Sequence, residues 1–261
     1  MSPTTTTALP KTTLWLWPTG LFPRRIIYYL RAKHITLSAL TAHNIHLIPI
    51  ILSPTTASLV AKPGYEARPA DTSLPCMRVE KDDDETLWVH ESLSIVGWLE
   101  EVFDGADIYG STISQRAKTR DILSLLNDAL AWSMAEMIHS DPRTLAWSGL
   151  ASASEQSPSA AAHAAKKFHF YLQRLENWVE GDVVGKGTSS LSGEGAGVTL
   201  ADVVLMSQVC YIEEMYGMDW VAEHGVLRVW VERAKGEAWW VGREALERCE
   251  KEEDWEGVLG K

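Results

Sequence analysis

The sequence predicts an α+β chain in which a βαβ–ββα domain precedes an all-helical one. Three observations carry that expectation. A short apolar run, Leu14–Trp17, meets the turn residues "PTG" and passes through Pro23 into a helical face. Two short strands, Cys76–Glu80 and Thr86–Val89, are expected on either side of an acidic turn and lead into a second helical face. Beyond "DGADIYGST" nearly every segment is loop or has helical spacing. A chain of 261 residues that is 46% hydrophobic can bury one large core or two ordinary ones. The boundaries predicted are 12–104 for the mixed domain and 114–261 for the helical one.

Taken in order, Leu14–Trp17 is continuously apolar and suits a strand buried on both faces. Pro23 is pre-organised for a first helical turn, and Ile26, Ile27 and Leu30 then share one face. "IHLIPIIL" (Ile45–Leu52) reads as a strand parallel to the first, with Pro49 placing it at a sheet edge because proline has no ladder donor. A Pro/Thr/Ala-rich connection, Ser53–Ser73, leads to the antiparallel pair and then to a helix, Ser92–Phe103, with Ile95, Val96, Leu99 and Phe103 on one side. In the second half, "AKTRDILSLLNDALAWSMAEMI" and "AAAHAAKKFHFYLQRLENWVE" are long amphipathic helices separated by a Ser/Ala-rich stretch. The Gly/Ser-rich segment Gly181–Gly197 is expected to be mobile. The next helix opens with Thr199 as cap, Asp202 returning the bond, and Val198 with Val203 as the hydrophobic staple.

Composition narrows the function classes. A formal net charge of −11 with no dense Lys/Arg cluster argues against a nucleic-acid partner. No apolar run is long enough to cross a bilayer, and "MSPTTTTALPKTT" has no apolar leader core, so no membrane association is expected. Cys76, Cys210 and Cys249 are odd in number and far apart, which favours a reducing, cytoplasmic setting over a disulfide framework. The histidines, His163 among them, lack companion cysteines or carboxylates at ligand spacing, so no metal is expected. The acidic stretch "EALERCEKEEDWEG" reads as a solvated helix face.

Four segments, in order and spacing, resemble the glutathione transferases. "WPTGLFPRRIIYYL" is similar to the first strand and helix of fungal and bacterial members that read roughly WPTGPYPxRVRIAL; "SLPCMRV" to the segment carrying a cis-proline; "HESLSI" to the Glu-Ser pair opening the third helix; and "GVTLADVVLM" to the capped helix of the helical domain. The resemblance implies a thioredoxin-like N-terminal domain that binds glutathione, an all-α substrate domain, and a homodimer.

Site residues follow residue by residue. A cis bond at Leu74–Pro75 costs only about 0.5–1 kcal/mol, and the resemblance implies that the Leu74 backbone pairs with the cysteinyl unit of glutathione. Ser92 brings a hydroxyl and a first-turn amide to one point, a spot that attracts a carboxylate; the resemblance assigns it the γ-glutamyl carboxylate, with Glu91 nearer the ammonium. A helix N-terminus favours a thiolate. Thr19 is the one hydroxyl in that turn and the candidate donor, with Gly20 or Leu21 as alternative positions. Lys62 and Arg68 are candidates for the glycyl carboxylate. Trp17, Phe22, Trp132, Met134 and Met137 are candidates for an apolar second site taking a small hydrophobic electrophile. A plain turn proline, a simple Ser cap and ordinary core packing are the alternatives at these positions. The implied activity is thiolate attack on an electrophilic carbon, as conjugation or as cis–trans isomerisation of an alkene in fungal-type secondary metabolism. A non-catalytic binding protein of the same fold is the other reading.

Overall fold

The computed structural model describes residues 9–56, 58–80 and 85–260; the acidic turn falls mainly outside them, at 81–84. The chain divides into two compact units. One comprises Met1–Ile108, Glu214–Tyr216 and Lys235–Lys261, and the other Tyr109–Glu213 and Gly217–Ala234. The first break falls after Ile108, and the last 27 residues, Lys235–Lys261, group with the first unit.

In the first unit, β1 (Thr12–Leu16), α1 (Leu21–Ala32), α2 (Leu37–Ala42), β2 (Ile45–Leu52), β3 (Leu59–Ala61), β4 (Cys76–Glu80), β5 (Thr86–Val89) and α3 (Ser92–Val102) follow one another. The five strands form one sheet in the order β3-β2-β1-β4-β5. Among the described ladders β1–β2 is the one parallel pairing, as a crossover through α1 and α2 requires. Strand β1 is buried at every position, which explains its unbroken apolar run. Trp15 lies opposite Cys76 across the β1–β4 ladder, and both join Ile48 and Ile50 in a core cluster flanked by Trp17, Leu59 and Leu74. The Leu74–Pro75 bond is cis.

The edge position expected for β2 needs correcting. Its second half is covered by β3, which pairs Leu52 with Leu59, Ile51 with Val60 and Ile50 with Ala61. Pro49 sits where the pairing changes sides: it is the last residue aligned with β1, opposite Leu16, and its carbonyl accepts from the Lys62 amide at 2.9 Å. The missing amide hydrogen is thus tolerated at a junction, not at a free edge.

In the second unit, α4 (Ile113–Ser140) and α5 (Pro158–Glu180) pack along each other. Helix α4 begins with a reciprocal cap between Thr112 and Gln115, and α5 with Ser157 accepting from the Ala160 amide at 3.3 Å. Then come α6 (Leu200–Tyr216), whose last turn belongs to the first unit, and α7 (Gly225–Ala234). Near the C-terminus, and in the first unit, lie α8 (Arg243–Glu252) and α9 (Trp255–Leu259).

The Gly/Ser-rich segment 181–197 is held rather than loose, because two aspartates collect its polar groups. Asp182 pairs with Lys118 at 2.6 Å and Lys186 at 2.9 Å. Asp202, fully buried, accepts from the amides of Thr199 (2.7 Å) and Leu191 (2.8 Å) and from the hydroxyls of Ser190 and Thr199 (both 2.8 Å). The return bond expected of Asp202 is therefore present, and the same carboxylate also fastens the preceding loop.

Burial pushes the Asp202 carboxyl up to about 6, and its four donors oppose that shift. The folded value lies above the unfolded carboxylate value, so the stabilisation is complete below about pH 4 and is lost as pH rises through about 6. Asp202→Ala should lower stability in chemical denaturation by about 2 kcal/mol or more by orphaning buried donors. The wild-type advantage should grow by about 1 kcal/mol between pH 7.5 and 5.

Candidate functional site

Two candidate residues, Trp17 and Thr19, lie in the turn between β1 and α1, and Phe22 lies in the first turn of α1. Trp17 and Thr19 are half-buried, and Gly20 caps α1 with an extended backbone. A Cβ on Gly20 would come within 2.6 Å of the Trp17 ring, so close packing of the indole, not backbone conformation, demands glycine here. The Gly20 amide donates to the Trp17 carbonyl at 2.9 Å, closing the turn.

Arg24, with no exposed surface, fixes this turn from inside α1. Its Nη2 donates to the Thr19 carbonyl at 3.1 Å and to Glu214 Oε2 at 2.6 Å. The Thr19 hydroxyl donates to Glu250 Oε2 at 2.7 Å, and Trp17 Nε1 donates to the same oxygen at 3.1 Å. The nominated thiolate donor and a nominated second-site aromatic thus share one carboxylate from α8. The acidic stretch carrying it is not simply a solvated face: Glu250, Glu253 and Asp254 are half-buried.

The next residue of α1, Arg25, is buried beside Ser92, and its Nη1 donates to Ser92 Oγ at 3.4 Å. Burial lowers the Arg25 guanidinium to about 10 while the Glu91 charge holds it up, so the group remains cationic at neutral pH. Glu91, exposed, is the α3 cap residue, and Ser92 is the first helical position. The Ser92 hydroxyl therefore faces a cation rather than capping its own helix. Phe22 is 39% exposed and lies under the Arg25 guanidinium, 4.8 Å from ring centre to charge.

Lys62 and Arg68 are separated in role. Lys62 Nζ lies 2.8 Å from Glu253 Oε1 and donates to the Lys251 carbonyl at 2.7 Å, while the Tyr65 hydroxyl donates to Glu253 Oε2 at 2.6 Å. Lys62 and Tyr65 together hold the Glu253 carboxyl below its ordinary range. Arg68 lies close enough to Cys76 to oppose the rise that burial imposes on that thiol, and the Thr72 hydroxyl also points at Cys76 Sγ, 3.9 Å away. Cys249 is pushed up to about 12, chiefly by burial and then by Asp254 and Glu250. Both thiols are disfavoured as thiolates.

The remaining candidates lie in the second unit. Trp132 is half-buried and stacks edge-on against His163 at 5.6 Å; Met134 is half-buried; Met137 is buried. The sequence reading missed Arg24, Arg25, Tyr65, Glu250 and Glu253. The adjacent arginines at the head of a buried helix were the available signal, since a buried cation needs a partner.

No protein-family model matches the sequence, and no curated protein matches it. The solved structures do reveal the fold. A glutathione S-transferase from Methylobacillus flagellatus, crystallised with glutathione bound, aligns at a TM-score of 0.60 and 16% identity, over 87% of this chain and 96% of that one. A glutathione transferase family member from Pseudomonas fluorescens, also with bound glutathione, aligns at 0.57 and 15%, over 87% and 95%. A glutathione transferase from Populus trichocarpa aligns at 0.58 and 15%, over 92% and 99%. The fold of this chain is the glutathione transferase fold, a thioredoxin-like domain followed by helices.

Arg24→Ala would strand the Glu214 carboxylate and free the Thr19 carbonyl. Breaking a buried pair from one side costs about 3–5 kcal/mol, so a loss of at least about 3 kcal/mol is expected in equilibrium unfolding, with Arg24→Lys recovering part of it.

Proposed function

We propose that this protein is a glutathione-dependent enzyme of the transferase type. The observation that carries the reading is the buried Arg25 cation beside the Ser92 hydroxyl at the start of α3. A cation, a hydroxyl and a helix N-terminus at one point suit a carboxylate, and the γ-glutamyl end of glutathione supplies one. Around it, the Leu74 backbone would hold the cysteinyl unit and Glu91 the ammonium. Lys62 or Arg68 would receive the glycyl carboxylate.

Glutathione supplies a thiol whose anion adds to an electrophilic carbon, giving an adduct that is kept or, after rotation about a former double bond, released again as an isomer. Trp17 and Phe22 of the first unit would offer apolar surface to a small hydrophobic electrophile. The chain would work as a cytoplasmic homodimer, in conjugation or in alkene isomerisation within secondary metabolism. The resemblance of "WPTGLFPRR" to fungal members supports that last assignment.

Activation falls to the first turn of α1 and to Thr19. Each unit of lowered thiol pKa takes about 1.4 kcal/mol of preferential stabilisation, which helix amides plus one hydroxyl supply together. The Thr19 proton is given to Glu250 here, 2.7 Å away. That contact favours a second reading, in which the fold binds glutathione or a hydrophobic ligand without turning anything over.

Calorimetric titration with reduced glutathione tests the first reading. Micromolar to millimolar binding is expected, weakened at least tenfold by Ser92→Ala and by Arg25→Gln; absence of binding both by the wild type and by a variant with Glu250 and Glu253 changed to glutamine overturns it. Turnover across a panel of electrophiles, lost on Thr19→Ala, would exclude the binding-only reading. Sedimentation at micromolar concentration should find a dimer.

A further inference from the structure

The acidic helix at the C-terminus meets the candidate site at two points, and both are places suited to an anion. Glu250 Oε2 accepts from the Thr19 hydroxyl and the Trp17 indole in the turn that leads into α1. Three residues on, Glu253 accepts from the Tyr65 hydroxyl and pairs with Lys62, a candidate for a carboxylate of the ligand. We propose that α8 is a built-in occupant of the glutathione site, its Glu250 and Glu253 carboxylates standing where the thiolate and a ligand carboxylate would be received, so that glutathione binds by displacing it.

This inference rests on the glutathione reading above. Its physical core is proton counting. A threonine hydroxyl has one proton to donate, and that proton is committed to Glu250. A thiolate beside an ionised carboxylate is also repelled by it. Thr19 can serve a thiolate only when Glu250 withdraws. Lys62 is engaged by charge instead: two of its three ammonium protons face Glu253 at 2.8 Å and the Lys251 carbonyl at 2.7 Å, and the Glu253 carboxylate neutralises the cation that a ligand carboxylate would seek.

The backbone at Glu253 points the same way. Glu253 ends α8 in the left-handed conformation, at φ 63°, a position where glycine is the favoured residue. A side chain held there against that preference carries the contacts to Lys62 and Tyr65. The contact is also suited to exchange. The Glu253 and Lys62 side chains are 34% and 22% exposed, so water screens the pair and a competing anion can reach it. Helix α8 meanwhile keeps anchors that do not involve the site. Leu246 and Cys249 are buried, Arg243 Nη1 donates to the Glu214 carbonyl at 2.9 Å, and Arg248 pairs with Asp254 at 2.9 Å.

The test is calorimetry with reduced glutathione on the full-length wild type, Glu250→Gln, Glu253→Gln and the double variant, with Glu252→Gln as control because Glu252 is exposed on the same helix. The double variant should bind at least tenfold more tightly than wild type, each single variant by a smaller factor, and the control unchanged. Equal or weaker binding by the double variant, with measurable wild-type binding, overturns the occupant role and leaves the glutathione reading standing. Failure of all five proteins to bind overturns both. If the substitutions unfold the chain, amide exchange on the wild type decides: glutathione should accelerate exchange in residues 243–259, and unchanged or slowed exchange there overturns the proposal.

Discussion

A helix buried on almost every side must find a partner for each charge it carries, and α1 places that constraint at the centre of the first unit. Nine of its twelve residues are buried, two arginines among them. Leaving a buried cation unpaired costs several kcal/mol. Arg24 accordingly holds Glu214 and the Thr19 carbonyl, and Arg25 holds Ser92. Arg31, the penultimate residue of the helix, donates to the carbonyls of Trp239 at 3.0 Å, Trp240 at 3.3 Å and Val258. Residues 238–240 and α9 are thereby tied to the helix that leaves the first strand, which is why the C-terminal segment belongs with the N-terminal unit.

That arrangement also builds the site. Arg24 fixes the turn before α1 by its carbonyl, so the Thr19 hydroxyl is free to point outward and find Glu250. Arg25 brings a permanent positive charge to the head of α3, where the helix already favours an anion. Electrostatically the first unit thus carries donors at three points: the Thr19 hydroxyl facing Glu250, the Arg25 guanidinium beside Ser92, and Lys62 facing Glu253.

The sequence reveals the skeleton because the skeleton is local. Alternation, turn residues and caps locate β4 and β5 at the observed bounds, and α3 within one residue at its end. Asp202 is legible for the same reason, since its partner Thr199 lies three residues away. Strand β3 is only three residues long in a Pro/Thr/Ala-rich stretch, and α2 spans six, so neither has enough repeats for a period to register. The cis bond at Leu74–Pro75 and the start of α3 at Ser92 are legible because they depend on backbone and local sequence. The long-range ion pairs around the candidate site are not. Nothing in "ERCEKEED" distinguishes the two glutamates that meet Thr19 and Lys62 from those facing water, because the Thr19–Glu250 partners are 231 residues apart.

The long-range pairs also explain why an acidic chain ends in an acidic helix against its own N-terminal domain. Anion-seeking groups that are partly buried cannot be left bare without cost, and a formal charge of −11 would otherwise accumulate repulsion wherever acids cluster. Docking Glu250 on Trp17 and Thr19, and Glu253 on Lys62 and Tyr65, satisfies both requirements with one short helix. The Glu253–Lys62 pair is partly exposed and so screened by water, whereas Glu250 is held by two donors at once, the Thr19 hydroxyl and the Trp17 indole.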